Sequence, residues 1–325
     1  MRFIKIALLF TVSIIILIGC GSVQEKRQKV VINKKKIDIE KEIETFAYSD
    51  PSELAKDKQG SRLIFVTTTQ SKKKKQYQLV VTNTDSTNPK TIASSSEPIM
   101  SPAWSPDGKK IAYVSFENKH SGIFIQTLLT GERKKVAFFK GINGSPSFSP
   151  DGSQLALTLS KDGSPDIFIL NLTDYSLKNI TNSKSIATEP TWSPDGSIIV
   201  YTSGQNGTPQ LYKVSSAGGK SSRLTFKGNY NAGAEFSADG KKIAMVHSNN
   251  NGYKIAVMDL ASSTISSLTA GKGDESPSFS PDGKTVLYVS GKGNKKMLST
   301  VSIDGLIQQD LTFKSNDIRE PAWSH

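Results

Sequence analysis

Cysteine is almost absent from this sequence, since Cys20 is the single cysteine among 325 residues. A monomer therefore cannot form an internal disulfide, and its fold must depend on packing and hydrogen bonds. Histidine is nearly as rare, because His120, His247 and His325 are far apart and lack the spacing of metal ligands. The prominence of Ser, Thr, Gly, Ile and Val favours strands and tight turns over helices. We therefore expect a strand-rich globular protein with no metal site and no cofactor.

Several signatures of catalysis and of nucleic-acid binding are also missing. The chain has no G-x-S-x-G nucleophile elbow, and the string GKT at 283–285 lacks the earlier glycine of a phosphate loop, because Ser278 occupies that position. The net charge is +12, yet no basic and aromatic residues are grouped in the way that stacks bases. Adjacent carboxylates at Asp274 and Glu275 could bind a cation, and exposed loop charges are the alternative. We predict a binding protein that is neither an enzyme nor a nucleic-acid-binding protein.

What the chain does contain is a long repeat. The string S-x-D-G begins at Ser105, Ser149, Ser193, Ser237 and Ser280, at steps of 44, 44, 44 and 43 residues. A sixth copy begins at Ser324, 44 residues beyond the fifth. Each period holds four short strands, as in EPTWS (189–193), SIIVYTS (197–203), QLYKVS (210–215) and SSRLTF (221–226). Four strands in about 44 residues are typical of one blade of a β-propeller.

The repeated P-D-G element is predicted to be a turn between the first and second strands of each blade. Proline presets the backbone of the second turn residue, and glycine adopts the left-handed conformation that leads into the next strand. The turn residues are Asp107 and Gly108, Asp151 and Gly152, Asp195 and Gly196, Asp239 and Gly240, and Asp282 and Gly283. The aromatic residue four positions before each glycine is expected to pack between blades. Five equivalent turns on a ring do not make one asymmetric reaction centre.

The number of blades follows from the two ends of the repeat. Five blades are complete, and the C-terminal PAWS (321–324) supplies only the first strand of a sixth. Its other three strands are predicted at RLIFVTTT (62–69), YQLVVTN (77–83) and KTIAS (90–94). The fold class is therefore all-β, a six-bladed propeller over residues 61–325 closed by pairing the C-terminal strand with N-terminal strands. Residues 20–60 are predicted to be a charged tether with a short helix within 49–60.

The N-terminus is predicted to be a lipoprotein-type signal peptide, residues 1–19. Arg2 and Lys5 precede the apolar stretch 6–18, which is shorter than the roughly 18 residues of a membrane span. The stretch ends in LIGC (17–20), which resembles a bacterial lipobox in which Cys20 is lipidated. An ordinary signal peptide with an incidental cysteine is the alternative. Gly21 after Cys20 suggests sorting to the outer membrane by the usual lipoprotein rule.

The repeat closely resembles that of the TolB family, the periplasmic propellers of the Tol–Pal system. The resemblance runs from about residue 60 to the end and is carried by SPAWSPDGKKIAYVSFE (101–117), SPSFSPDG (145–152), TEPTWSPDG (188–196), GTPQLYKVSSAGGKSSRLTF (207–226) and PAWS (321–324). It implies an adaptor that binds the peptidoglycan-associated lipoprotein Pal around the propeller channel and supports outer-membrane integrity and constriction in division. The family's N-terminal segment engages TolA, and residues 24–45 do not match that segment.

The resemblance also implies where a partner binds. The loops that lead into each first strand lie on the face opposite the P-D-G turns, and they differ between blades as an asymmetric site requires. The family's Pal-contacting positions map onto Ile142, Asn143, Ser145, Thr188 and Glu189, where Ile142 replaces an expected histidine. Ring geometry adds Glu275, Arg319 and Glu320. We expect a periplasmic monomer anchored to the outer membrane through Cys20.

Two other functions stay open at this point. A lipid-anchored propeller scaffold outside the Tol system is one, because only about forty residues separate the signal from the ring, where the family has an α/β domain. A propeller hydrolase or lactonase is the other, and it would require several acidic residues to converge at the channel.

Overall fold

The computed structural model describes residues 43–47, 61–71, 74–182, 184–293, 295–313 and 317–324. The predicted signal peptide, Cys20 and the predicted short helix lie outside these residues. Every regular element within them is a β-strand. No helix in this part of the chain is long and apolar enough to cross a membrane.

The strands follow one another with short connections. In chain order they are β1 (Ile43–Thr45), β2 (Arg62–Ser71), β3 (Lys74–Asn83), β4 (Lys90–Ser95), β5 (Ile99–Trp104), β6 (Lys110–Glu117), β7 (His120–Thr127), β8 (Arg133–Ala137), β9 (Asn143–Phe148), β10 (Gln154–Leu159), β11 (Asp166–Asn171), β12 (Leu177–Asn179), β13 (Ala187–Trp192), β14 (Ile198–Ser203), β15 (Gln210–Ser215), β16 (Ser222–Arg223), β17 (Tyr230–Phe236), β18 (Lys242–Ser248), β19 (Lys254–Asp259), β20 (Ile265–Ser267), β21 (Glu275–Phe279), β22 (Thr285–Lys292), β23 (Lys295–Ser302), β24 (Gln308–Asp310) and β25 (Ile318–Trp323).

Six antiparallel sheets form the blades of one propeller. Blade 1 is β5–β8, blade 2 β9–β12, blade 3 β13–β16, blade 4 β17–β20 and blade 5 β21–β24, each paired in chain order. Blade 6 has the order β1-β4-β3-β2-β25, so both ends of the chain contribute to it. The first strands of neighbouring blades contact one another all around the ring, which places them at the central channel. The predicted six-bladed architecture is confirmed.

Blade 6 closes the ring as the sequence predicts. In its inner pair, Leu63 of β2 lies opposite Trp323 of β25, and Thr67 lies opposite Ile318. The N–H of Arg62 donates a hydrogen bond of 2.7 Å to the hydroxyl of Ser324. No unpaired inner edge remains between the first and last strands, and an unpaired edge of that kind would favour aggregation.

A fifth strand on blade 6 is not anticipated by the repeat. Strand β1 pairs with the outer strand β4, with Ile43 opposite Ser95 and Thr45 opposite Ala93. Just beyond it, the N–H of Phe46 donates to the carbonyl of Ile92 at 2.9 Å. The segment therefore covers the outer edge of the blade that joins the two ends of the ring.

The P-D-G turns have the geometry that their residues favour. In blade 1 the hydroxyl of Ser105 donates to Asp107 at 2.7 Å, and the N–H of Gly108 donates to the carbonyl of Ser105 at 2.8 Å. The same pair of bonds recurs in the next four blades, and the five turn glycines have φ between 65° and 72°. The hydroxyl of Ser193 lowers the pKa of Asp195 to about 2. A turn carboxylate that is already ionised and saturated with local donors is suited to hold a turn, not to exchange protons.

The aromatic residue before each turn packs against the preceding blade, as predicted. Trp192 of blade 3 contacts Ile167 and Ile169 of blade 2, and its indole N–H donates to the carbonyl of Ser147 at 3.1 Å. Its counterparts in the ring are buried in the same way: Trp104, Phe148, Phe236, Phe279 and Trp323. The core of the protein is therefore a series of six clusters between blades.

Candidate functional site

The two faces of the ring differ in what they display. The turn face carries the five P-D-G turns. The opposite face, here called the mouth face, carries the connections into the first strands, which fall at 96–98, 138–142, 180–186, 224–229, 268–274 and 311–317. These connections differ in length and composition, whereas the turns repeat. The mouth face is therefore where one asymmetric site can be built.

A ring of six left-handed residues surrounds the channel at the mouth face. They are Ser101 (φ 49°), Ser145 (φ 46°), Glu189 (φ 55°), Gly233 (φ 61°), Ser276 (φ 55°) and Glu320 (φ 48°). The strand pairing of each blade shifts at this position, so each residue forms a bulge in its first strand. These residues and the six that follow them line a channel mouth of about 170 Å³. Left-handed non-glycine residues are strained, and such strain is commonly found at binding sites.

Two glutamates of this ring face each other across the channel. Glu189 belongs to blade 3 and Glu320 to blade 6, three blades apart in a ring of six. Each carboxylate accepts a hydrogen bond from the left-handed residue of the next blade, Gly233 (3.1 Å) and Ser101 respectively. The hydroxyl of Thr202 also donates to Glu189 at 2.8 Å. Backbone donors thus fix both side chains at the mouth.

The mouth is a site of concentrated negative charge. Burial raises the pKa of Glu320, and the nearby carboxylates of Glu275 and Glu189 raise it further, while the N–H of Ser101 and the charge of Arg319 lower it. Glu320 therefore lies within electrostatic range of Glu275 and Glu189. No group of three or more His, Cys, Asp or Glu residues in the described part of the chain is arranged to hold a metal ion. The arrangement is suited to hydrogen-bonding and electrostatic contact with a partner.

The structure places Ile142 and Asn143 on the mouth face of blade 2 with different surroundings. Ile142 is 50% exposed at the end of its loop, where its N–H donates to the hydroxyl of Ser160 at 2.7 Å. Asn143 is buried, and its side chain bonds both the N–H and the carbonyl of Phe139 at 2.8 Å. Asn143 therefore shapes the loop that presents Ile142. Its predicted partner contact stays a prediction.

The remaining predicted residues are divided between the mouth and its rim. Thr188 precedes Glu189 in β13 and pairs with Thr202 of β14. Glu275 forms an ion pair with Lys296. Arg319 pairs with Asp317 at 2.9 Å. Ser145, Glu189 and Glu320 thus share the channel mouth, whereas Glu275 and Arg319 belong to ion pairs beside blades 5 and 6.

One channel residue is missed by the sequence reasoning. Glu235 points into a second cavity of about 450 Å³, nearer the turn face, and it is the one charged residue among the described residues that line it. Burial raises the pKa of Glu235 to about 7, although the N–H of Phe279 (2.8 Å) and the hydroxyl of Ser278 (3.0 Å) bond its carboxylate. Aligning the repeats reveals Glu235, because the equivalent positions in the other blades hold small uncharged residues. These are Ala103, Ser147, Thr191, Ser278 and Ala322.

Large apolar side chains are exposed on the mouth face of blades 2 and 3. Ile142 is joined there by Phe139 (36% exposed), Ile186 (57%) and Phe226 (74%). Exposed apolar groups bordered by polar residues are typical of protein interaction sites. The channel mouth therefore lies beside a surface that favours contact with another protein.

Comparison with known proteins gives a consistent set of similarities. The family model described as "TolB beta propeller domain" matches residues 55–325. The Tol-Pal system protein TolB of Xanthomonas campestris pv. campestris (strain B100) is 60% identical over 265 residues, which cover 81% of this chain and 60% of that protein. The corresponding protein of Xanthomonas oryzae pv. oryzae (strain PXO99A) is 61% identical over the same length.

The similarity extends to solved structures. The crystal structure of TolB from Acinetobacter baumannii has a TM-score of 0.77 and 44% sequence identity, covering 82% of this chain and 67% of that one. This chain spans about 60% of the length of the curated relatives that it matches. The part that matches the family model, residues 55–325, includes the six first strands and the mouth face.

Proposed function

The chain belongs to the TolB β-propeller family, and on that premise we propose that it is a non-enzymatic protein-binding adaptor of the Tol–Pal system. In this proposal the mouth face binds a Pal-like peptidoglycan-associated lipoprotein. The adaptor thereby supports outer-membrane integrity and constriction during cell division. The observation that carries the proposal is the channel mouth, where Glu189 and Glu320 are held by backbone donors beside exposed apolar residues.

The geometry of the mouth favours binding over catalysis. Each carboxylate there is already engaged by fixed donors, and the channel is lined by prolines and small residues. A general acid or base needs an open position beside its substrate and a reacting partner group. The repeated turn carboxylates are structural. We therefore assign the site a recognition role with no cofactor and no metal.

The N-terminal sequence and the relatives support a proposal about where the adaptor acts. We propose that the chain is exported to the periplasm, that Cys20 carries the lipid, and that the anchor lies in the outer membrane. Residues 20–60 then act as the tether between the lipid and the propeller. The propeller acts as a monomer, and TolA is a secondary partner at most. Mass spectrometry of the mature N-terminus tests the anchor.

Removing the charge of Glu189 tests the binding site. We expect Glu189→Gln to weaken binding of the Pal protein from the same organism by about tenfold, within the range of single interface residues. Glutamine keeps an acceptor for the donors of Gly233 and Thr202, so the strand geometry is preserved. Isothermal titration calorimetry measures the affinity.

The matched control is Glu132→Gln, which makes the same charge change in an exposed loop on the turn face. We expect this control to bind as the unaltered chain does. The proposed function is wrong if the unaltered chain shows no binding of Pal. The site assignment is wrong if both variants bind with unchanged affinity.

A further inference from the structure

The cavity of about 450 Å³ nearer the turn face, called the turn-side cavity below, is enclosed by all six blades. Each blade contributes the residue two positions before its turn serine to the wall. These residues are Ala103, Ser147, Thr191, Glu235, Ser278 and Ala322. A cavity of this size lies within the range of about 300–1,000 Å³ that is usual for small-ligand sites. The mouth-face proposal makes no use of it.

The two carboxylate oxygens of Glu235 have different surroundings. The N–H of Phe279 (2.8 Å) and the hydroxyl of Ser278 (3.0 Å) both donate to Oε1. No donor from the described residues reaches Oε2. Burial raises the pKa of Glu235 to about 7, and no charged neighbour contributes to that pKa. A buried carboxylate with an unused acceptor gains a hydrogen bond and a counter-charge when a cation binds beside it.

The rest of the described cavity wall favours a cation over an anion. It consists of prolines, aromatic residues and small uncharged residues, and it contains no lysine or arginine. Trp104, Trp192 and Trp323 line it, and the indole N–H of each already donates to a protein oxygen at 3.0–3.2 Å. These N–H groups are therefore not available to an anion. Aromatic rings, to which Phe148 and Phe236 also contribute, attract cations.

We infer that the turn-side cavity binds a small organic cation, namely a primary ammonium group carried on an apolar body. The ammonium group donates to Oε2 of Glu235, and the apolar body packs against the prolines and aromatic side chains. The inference is independent of the proposed function, because it concerns the other end of the channel.

A small organic molecule fits this cavity better than a metal ion or a protein surface does. Calcium and magnesium ions take about six or more oxygen ligands. No group of three or more His, Cys, Asp or Glu residues in the described part of the chain could hold such an ion. The six blades enclose the cavity on its sides, which leaves room for a small molecule but not for a folded surface.

Tryptophan fluorescence tests the inference directly, because the chain has three tryptophans and all three line the cavity. We expect 2-phenylethylammonium to change this fluorescence saturably at pH 8, with a Kd of about 1 mM or tighter, which a ligand of this size can reach. Binding should be about tenfold weaker at pH 6, since a carboxyl group with a pKa of about 7 is mostly protonated there. The uncharged analogue 2-phenylethanol should bind far more weakly.

Two variants locate the bound cation. Glu235→Gln should weaken binding of 2-phenylethylammonium by at least about tenfold, because it removes the counter-charge and keeps an acceptor for Phe279 and Ser278. Ala103→Leu should also weaken it, because the larger side chain fills part of the cavity and leaves the carboxylate in place. The matched control, Glu132→Gln in the exposed loop on the turn face, should bind as the unaltered chain does. Thermal unfolding checks that each variant is folded.

Several results would overturn the inference. One is the lack of a saturable fluorescence change up to about 10 mM of the probe, since a ligand of this size that fills a matched site binds more tightly than that. Equal affinity of the unaltered chain and Glu235→Gln is another, and so is equal affinity for 2-phenylethanol. Binding that is lost in Glu189→Gln and kept in Glu235→Gln would assign the probe to the channel mouth. None of these results bears on Pal binding at the mouth face.

Discussion

Removing residues 318–325 is expected to abolish the cooperative unfolding of the propeller. The deletion takes away β25, the inner strand of blade 6, and leaves the inner edge of β2 unpaired. It also exposes Leu63, Phe65 and Leu287, which pack around Trp323. Loss of one buried tryptophan alone costs about 3–5 kcal/mol, against a total stability of about 5–15 kcal/mol for most domains. Thermal unfolding followed by circular dichroism measures the result.

A point variant separates packing from strand pairing. Trp323→Ala keeps β25 but removes the side chain that fills the space between blades 5 and 6, and we expect a loss of about 3–5 kcal/mol. Trp323→Phe is the matched control, because Phe148, Phe236 and Phe279 occupy the same position in other blades. It should cost far less. A truncated chain that unfolds cooperatively near the normal temperature would show that the ring does not depend on its closing strand.

Replacing Glu235 by glutamine is expected to stabilise the protein above pH 7. Burial raises the pKa of Glu235 from 4.5 to about 7. Between these values the folded state binds one more proton than the unfolded state, so the free energy of unfolding falls as pH rises. Glutamine does not titrate and keeps an acceptor for Phe279 and Ser278. The variant should match the unaltered chain near pH 4 and exceed it by about 2 kcal/mol at pH 8, since one pKa unit is worth about 1.4 kcal/mol.

The expected gain in stability is smaller than the full pKa shift of Glu235 would give, because its carboxylate faces the channel cavity, which admits water. A control of opposite sign lies in the same blade. The hydroxyl of Ser237 lowers the pKa of Asp239, so Asp239→Asn should lose stability at neutral pH and approach the unaltered chain in acid. Urea unfolding between pH 4 and pH 8 measures both variants. Parallel curves for Glu235→Gln and the unaltered chain would show that Glu235 carries no burial penalty.

The repeat predicts the ring because each of its repeated residues has a physical role in a blade. Each P-D-G turn needs a glycine in the left-handed conformation, and each aromatic residue needs the preceding blade for burial. Their spacing therefore counts blades and locates the divided one. Strand ends are less predictable: SSRLTF (221–226) suggests a six-residue strand, yet only Ser222–Arg223 pairs in β16. Outer strands have a partner on one side only, so sequence alone poorly defines their length.

The site is less accessible to sequence reasoning than the ring. The sequence shows that Glu189 and Glu320 each precede a proline. It does not show that they face each other across the channel, because that arrangement depends on the closure of the six-bladed ring. The resemblance to the family predicts that Asn143 contacts a partner, and the structure shows that its side chain holds the loop of Phe139. Strand β1 has only three residues and no periodic pattern.

The central claim is that the mouth face receives the partner. Hydrogen–deuterium exchange of the full chain, alone and bound to Pal, tests it most directly. The account predicts slower exchange at 138–145 and 186–190 in the complex, with no change at the P-D-G turns on the opposite face. Slower exchange at those turns, with the mouth face unaffected, would contradict it.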